Sequence, residues 1–322
     1  MKKTDDTITR RNFIKTASTA MGAVPLMGFG NTFFDPSASP ADSISVHLFS
    51  KHLQFLDYER MSEAAADMGF DGLDLTVRPK GHVEPNRVTD DLPKAVEAMQ
   101  KFGLPPQMMT TEVVDPADGL SKIVLETAGQ LGFQHYRTGW LTYPEERSIP
   151  ESMTTYAEQF SSLETLNKEV GLIGAYQNHA GNHVGAPIWD TYEILKGTNS
   201  KFIGAQYDIR HAVVEGGSSW ELGLRLIKDY IRTIAIKDFK WGQVDGKWKP
   251  INVPLGEGMV DFDRYFSLLK KYKINVPVSL HLEYRLGGAE HGASTISIAQ
   301  SEVFAQMKKD LKFLKEAWAK AR

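Results

Sequence analysis

The sequence predicts an α/β chain folded as a single-domain (β/α)8 TIM barrel, and three observations carry that prediction. From Ile44 onward, eight short apolar runs alternate with longer amphipathic ones at a spacing of about 25–35 residues. Four of the amphipathic runs stop at a glycine: Gly69, Gly103, Gly132 and Gly171. Glycine takes the left-handed conformation that ends a helix without a Cβ penalty. No glycine-rich phosphate fingerprint follows the first run, which argues against a dinucleotide-binding fold.

Taken in order, the strands are expected at 44–49, 72–76, 107–111, 135–140, 172–178, 203–208, 233–238 and 276–284. Each is short and rich in β-branched or aromatic types. Helices are expected at 58–68, 91–102, 117–131, 153–170, 189–196, 219–230 and 261–272, with 300–319 closing the ring. There is no internal repeat and no second-domain boundary.

The chain has 322 residues, a formal charge of −3 and 42% hydrophobic residues. This near-neutral balance offers no electrostatic case for a nucleic-acid partner. No apolar run reaches the ~18 residues of a membrane span. Cysteine is absent, so no disulfide constrains the reading.

Residues 1–43 differ from the rest. Arg10, Arg11, Asn12, Phe13, Ile14 and Lys15 precede a mildly apolar stretch rich in Ala, Gly and Met, then a Pro/Ser linker at 35–43. The segment resembles a twin-arginine (Tat) export signal, which implies a periplasmic location. A disordered basic tail is the alternative. The barrel then occupies 44–322.

In such barrels the reactive groups lie at the C-terminal strand ends, and polar residues crowd there. Arg78 and His82 follow strand two, and Glu112 follows strand three. Arg137 and Trp140 end strand four; Gln177, Asn178 and His179 end strand five. Asp208, Arg210 and His211 end strand six. Lys237, Asp238 and Trp241 end strand seven, while His281, Glu283 and Tyr284 lie on strand eight. A single such residue is ordinarily a solvated loop group or a helix cap. Seven clusters at one end of a barrel point to a concave polar site, because so many ionisable groups are costly to bury without use.

Four motifs resemble the xylose isomerase-like sugar isomerases and epimerases. They are Tyr176-Gln177-Asn178-His179, Asp208-Ile209-Arg210-His211, Ile236-Lys237-Asp238-Phe239-Lys240-Trp241 and Leu255-Gly256-Glu257-Gly258-Met259-Val260-Asp261-Phe262. The resemblance runs from Ile44 to the C-terminus. It implies one divalent metal held by Glu, Asp, His and Glu at the ends of strands five to eight. It also implies two carboxylates that shuttle a proton beside a carbonyl.

The chain departs from that pattern. Gln177 stands at the first ligand position and Ala235 at the third, and either His281 or Glu283 takes the last. A remodelled site for Mn, Zn, Co or Mg would draw on Gln177, His179, Asp208, His281 and Glu283. A degenerate site with hydrogen-bonding histidines is the alternative.

The resemblance therefore implies an isomerase-class enzyme acting on a small carbohydrate. Asp208, Glu283, His211 and Lys237 are the catalytic candidates. His82, Arg137, Trp140, Asn178 and Trp241 are the substrate-binding ones. Arg137 and Arg210 suit a carboxylate or phosphate, and the aromatic rings of Trp140, Trp241 and Tyr284 suit a sugar face. A keto-sugar lyase or hydrolase and a non-catalytic sugar-binding barrel remain open alternatives. Pairing as a homodimer is a further expectation.

Overall fold

Strands buried on both faces must cover themselves with helices, and the shortest solution for eight of them is closure. The computed structural model describes residues 43–199 and 201–322. The twin-arginine segment lies outside these residues. β1 (Val46–Phe49), β2 (Gly72–Thr76), β3 (Met108–Thr110), β4 (His135–Arg137), β5 (Ile173–Gln177), β6 (Ile203–Asp208), β7 (Ile231–Ile236) and β10 (Val278–Leu280) pair in parallel and form a closed barrel. The expected (β/α)8 barrel is the observed fold. Among the described residues no helix is long and apolar enough to cross a membrane.

The helices are α1 (Tyr58–Met68), α2 (Val88–Lys101), α3 (Gly119–Gln130), α4 (Ile149–Val170), α5 (Ile188–Leu195), α6 (Ile209–Gly216), α7 (Trp220–Ile227), α8 (Phe262–Lys271) and α9 (Gln300–Lys320). The four glycines read as helix stops all have positive φ, from 75° to 88°. α4 starts earlier than its apolar pattern suggests, because Ser148 and Glu151 close a reciprocal capping box one turn upstream.

Two features differ from expectation. The seventh barrel strand ends at Ile236, and Asp238 opens a separate antiparallel hairpin, β8 (Asp238–Val244) with β9 (Lys247–Val253). Its turn is Asp245-Gly246, both at positive φ, as a two-residue type I′ turn requires. The other difference is α6, which starts directly at the end of β6 with Asp208 as its N-cap.

Side chains alternate along each strand, so 206 and 208, 235 and 237, and 279, 281 and 283 face the barrel axis. Register aligns Asp208 with Ala235 and Ala235 with Ser279 on neighbouring strands. Tyr284 points the other way. It is buried under α9, where its hydroxyl donates to Asp310 Oδ2 at 3.0 Å, so it is a packing residue and not a sugar platform.

Asp310 is fully buried, and burial raises it from 3.8 to about 6 against the Tyr284 hydrogen bond. A carboxyl raised on folding favours the folded state below pH 3.8, and that stability is lost as pH rises through 6. The loss is about 3 kcal/mol at pH 8. Asp310→Asn is expected to raise the melting temperature more at pH 8 than at pH 4.5. An equal change at both pH values in thermal unfolding would remove the ionisation argument.

Candidate functional site

The strand-six motif builds the centre of the site. Asp208 Oδ1 caps α6 by accepting the His211 backbone N–H at 3.1 Å. That leaves Oδ2, which accepts Gln177 Nε2 at 2.8 Å and faces Lys237 Nζ at 3.2 Å. Asn178 fixes the peptide beneath. Its amide donates to the Asp208 carbonyl at 3.1 Å, and its carbonyl accepts the Asp208 N–H at 2.8 Å. Asn178 was expected to touch substrate; with both ends of its amide committed to the backbone, it is a positioning residue.

The strand-seven and Gly-Glu-Gly motifs form one structural unit. Asp238 is buried and accepts four backbone N–H groups, from Phe239, Gly256, Gly258 and Val260, at 2.8–3.1 Å. A Cβ at Gly258 would collide with Asp238 Oδ1, so only glycine fits. Asp261 then caps α8 through the Arg264 N–H. This clamp anchors the strand end and aims Lys237 at the barrel axis.

Lys237 Nζ lies 3.2 Å from Asp208 Oδ2, 3.3 Å from Glu283 Oε2 and 3.0 Å from His211 Nε2. Lys237 and Asp208 are buried, while Glu283 is partly open. Lys51 approaches Glu283 Oε1 from the first loop at 3.4 Å. Burial would raise the Glu283 carboxyl, but the charges of Lys237 and Lys51 outweigh it and hold it well below the usual carboxylate range. Burial raises Asp208, against the charge of Lys237. The two carboxylates are thus pushed in opposite directions, a pattern that separates acid and base roles.

The histidines divide by their partners. His281 stacks on Phe49 at 4.2 Å between ring centres. Its Nε2 lies 3.0 Å from Ser279 Oγ, and the Ser279 hydroxyl donates to Asp74 Oδ2 at 2.6 Å. That chain makes Nε2 the donor and assigns the Nδ1 lone pair to the site, where Nδ1 has no hydrogen-bond partner. Burial pushes His281 down to about 3. His211 is likewise held well below its usual value by burial and by Lys237, so both rings are neutral near pH 7. Its Nδ1 accepts the Ala180 N–H at 3.1 Å. The ring of His179 lies 4.0 Å from that of His211 and 4.8 Å from Trp140.

Two expected substrate contacts fall elsewhere. His82 Nδ1 lies 3.1 Å from Ser50 Oγ and 3.2 Å from Thr76 Oγ1, and its Nε2 lies 3.3 Å from the Leu53 carbonyl. Both ring nitrogens are occupied, so His82 pins the second loop. Trp241 is 42% exposed on the hairpin, across from Pro250, and is not part of the central cluster. Lys51 and Phe49, which the strand-end pattern does not single out, are part of it. Their signal was available: both flank the end of the first strand.

A divalent ion does not fit this cluster. Ala235 is buried beside Asp208 with no donor atom. The Lys237 ammonium stands between Asp208 and Glu283, where an ion would need them. Among the described residues, no three His, Cys, Asp or Glu side chains are grouped to hold a metal. The expected donor set of Gln177, His179, Asp208, His281 and Glu283 is therefore corrected. Gln177 donates its amide to Asp208 and accepts from Arg137 Nη1 at 3.1 Å, so both ends of its amide are committed.

The family described as Xylose isomerase-like TIM barrel matches residues 62–317. The structure of the IOLI protein with a bound zinc atom superposes with a TM-score of 0.67 at 17% identity, covering 86% of this chain and 99% of that one. D-Psicose 3-epimerase from Clostridium cellulolyticum, solved with D-tagatose, gives 0.63 at 11% identity over 86% and 99%. 3-Keto-D-glucoside 4-epimerase from E. coli gives 0.60 at 12% identity over 85% and 100%. No curated protein sequence matches.

Proposed function

The chain belongs to the xylose isomerase-like TIM barrel family, and from that premise we propose a sugar isomerase- or epimerase-like enzyme that moves a proton on a carbon next to a carbonyl. One observation carries this reading: Lys237 Nζ stands within 3.3 Å of both Asp208 and Glu283 at the C-terminal mouth of the barrel. An ammonium fixed there can supply positive charge to a carbonyl oxygen.

Glu283 is the base in this reading, because it is ionised and reachable. It takes the proton from the carbon. The electron pair left behind shifts onto the carbonyl oxygen as an enediolate, and the Lys237 ammonium meets that developing charge. Asp208 holds Lys237. His281 Nδ1 accepts a sugar hydroxyl. A proton delivered from solvent to the opposite face of the same carbon gives an epimer; return of the Glu283 proton to the neighbouring carbon, while the hydroxyl proton of the first carbon passes to the carbonyl oxygen, gives an isomer. The zinc and the sugars named above belong to the structural neighbours. They support the reading at the level of fold, and no step here uses a metal.

One observation also favours elimination. Asp208 is tied by its helix cap, Gln177 and Lys237, whereas Glu283 is held by lysines alone and is partly open, and one base suffices to expel a β-oxygen.

The test is incubation with ketohexoses and 3-keto-glucosides in D2O, followed by proton NMR. Solvent deuterium on one carbon beside the carbonyl, with a new epimer or isomer, is the expected result. Free aglycone without an epimer would move the protein to the lyase reading. Unchanged sugars across the panel would leave a binding barrel. Export through the twin-arginine route belongs to the same proposal. A fusion of residues 1–43 to a reporter that works only outside the cytoplasm would check it, with Arg10→Lys, Arg11→Lys as the blocked control.

A further inference from the structure

We propose that the substrate is a sugar acid whose carboxylate is gripped by Arg137, with Arg78 alongside, at the barrel mouth. The proposal rests on the proton-transfer reading only in assuming that a sugar enters this site. Arg137 ends β4 and is 3% exposed. Its Nη1 donates to Gln177 Oε1 at 3.1 Å, whereas Nε and Nη2 are buried without any partner. Those two nitrogens form one edge of the guanidinium. Their N–H bonds run parallel, which is the geometry that binds both oxygens of a carboxylate at once.

No protein group fills that edge. Among the described residues neither Arg137 nor Arg78 has a carboxylate within salt-bridge distance. Asp74 is engaged by Thr110 and Ser279, and Glu283 by Lys237 and Lys51. Glu112 is exposed. A buried guanidinium without a counter-anion is unfavourable unless a ligand supplies one. Burial, and then the charge of Arg78, push Arg137 down to about 10, against the charges of Asp74, Glu112 and Glu283, none of which reaches salt-bridge distance.

The surroundings agree with a flat, charged group. The Arg137 guanidinium lies 4.3 Å over the Trp140 ring, and Trp140 Nε1 is itself buried and unpartnered. The Arg78 guanidinium lies 5.7 Å from the Phe49 ring, and its Nε also lacks a partner. Phe49 stacks on His281, so the arginines flank the groups assigned to proton transfer. One edge with two parallel donors suits a planar carboxylate better than a tetrahedral phosphate, which takes donors on three sides.

The experiment is calorimetric titration of the full chain with D-glucuronate, D-galacturonate, D-glucose, D-galactose and glucose 6-phosphate at low ionic strength. Charge-assisted bidentate bonding predicts that the acids bind at least about tenfold more tightly than their neutral counterparts. In Arg137→Gln that preference should fall to within about threefold, read as the ratio of acid to neutral-sugar affinity in the variant. Thermal unfolding checks that the variant folds. If it does not, Arg78→Gln at the more open rim should still weaken acid binding several-fold. Equal binding of acids and neutral sugars, no binding of either, tighter binding of the phosphate, or a preference that survives in folded Arg137→Gln would overturn the proposal. Deuterium exchange on a neutral keto sugar alongside any of these would leave the proton-transfer reading standing.

Discussion

Lys237→Met is expected to lower solvent-deuterium incorporation by about 10²–10³-fold, the usual effect of removing a donor that meets developing negative charge in a water-poor site. The variant also leaves Asp208 and Glu283 without the charge that stands between them. Glu283 is held well below its unfolded value, so its ionisation stabilises the fold above the ordinary carboxylate range. That stability is lost as pH falls through its folded value. Without Lys237 the depression shrinks. The variant should therefore be less stable than the parent at pH 7, and the gap should begin to narrow only below about pH 4.5, closing as pH falls through the folded value. Rates followed by NMR and melting temperatures taken across pH check both parts. A variant with full activity would exclude Lys237 from the chemistry.

Glu283→Gln is expected to cut the same exchange by about 10²–10⁴-fold, the range for loss of a general base, while sugar affinity changes by only a few-fold. The amide keeps the shape of the side chain but cannot take a proton at neutral pH. Asp208→Asn is the informative contrast. Asp208 caps α6 and holds Lys237, so this change should weaken the fold as well as the rate; Glu283→Gln gives up the stability of its own ionised carboxylate, so it should lower the melting temperature at pH 7 but leave the helix cap intact. Loss of rate from Asp208→Asn alone would exchange the roles of the two carboxylates.

The fold was legible because its punctuation is local. Gly69, Gly103, Gly132 and Gly171 mark helix ends by backbone geometry alone. The hairpin after Lys237 was equally local, since Asp245-Gly246 between alternating residues is a turn signal, yet the expected strand seven ends at Asp238 and no hairpin is expected after it. The site was legible at the level of which residues crowd the barrel mouth, and not at the level of what each atom touches. His82 and Asn178 lie at strand ends as expected, yet their polar atoms are held by hydroxyls and backbone. Nothing in their spacing says so. Lys237 and Ala235 show the reverse. Alternation along the strand puts both on the axis, where Ala235 offers no donor and Lys237 supplies an ammonium between Asp208 and Glu283.

The account turns on whether Lys237 supplies the positive charge that an ion would otherwise bring. The direct measurement is deuterium incorporation into a keto-sugar substrate by enzyme dialysed against a strong chelator, with bound metal assayed on the same sample. The expected result is a rate within about twofold of the undialysed enzyme at well under a tenth of an equivalent of any divalent ion. A rate that collapses on chelation and returns with one equivalent of a divalent ion would contradict the account, and would show that the site rearranges around a metal after all.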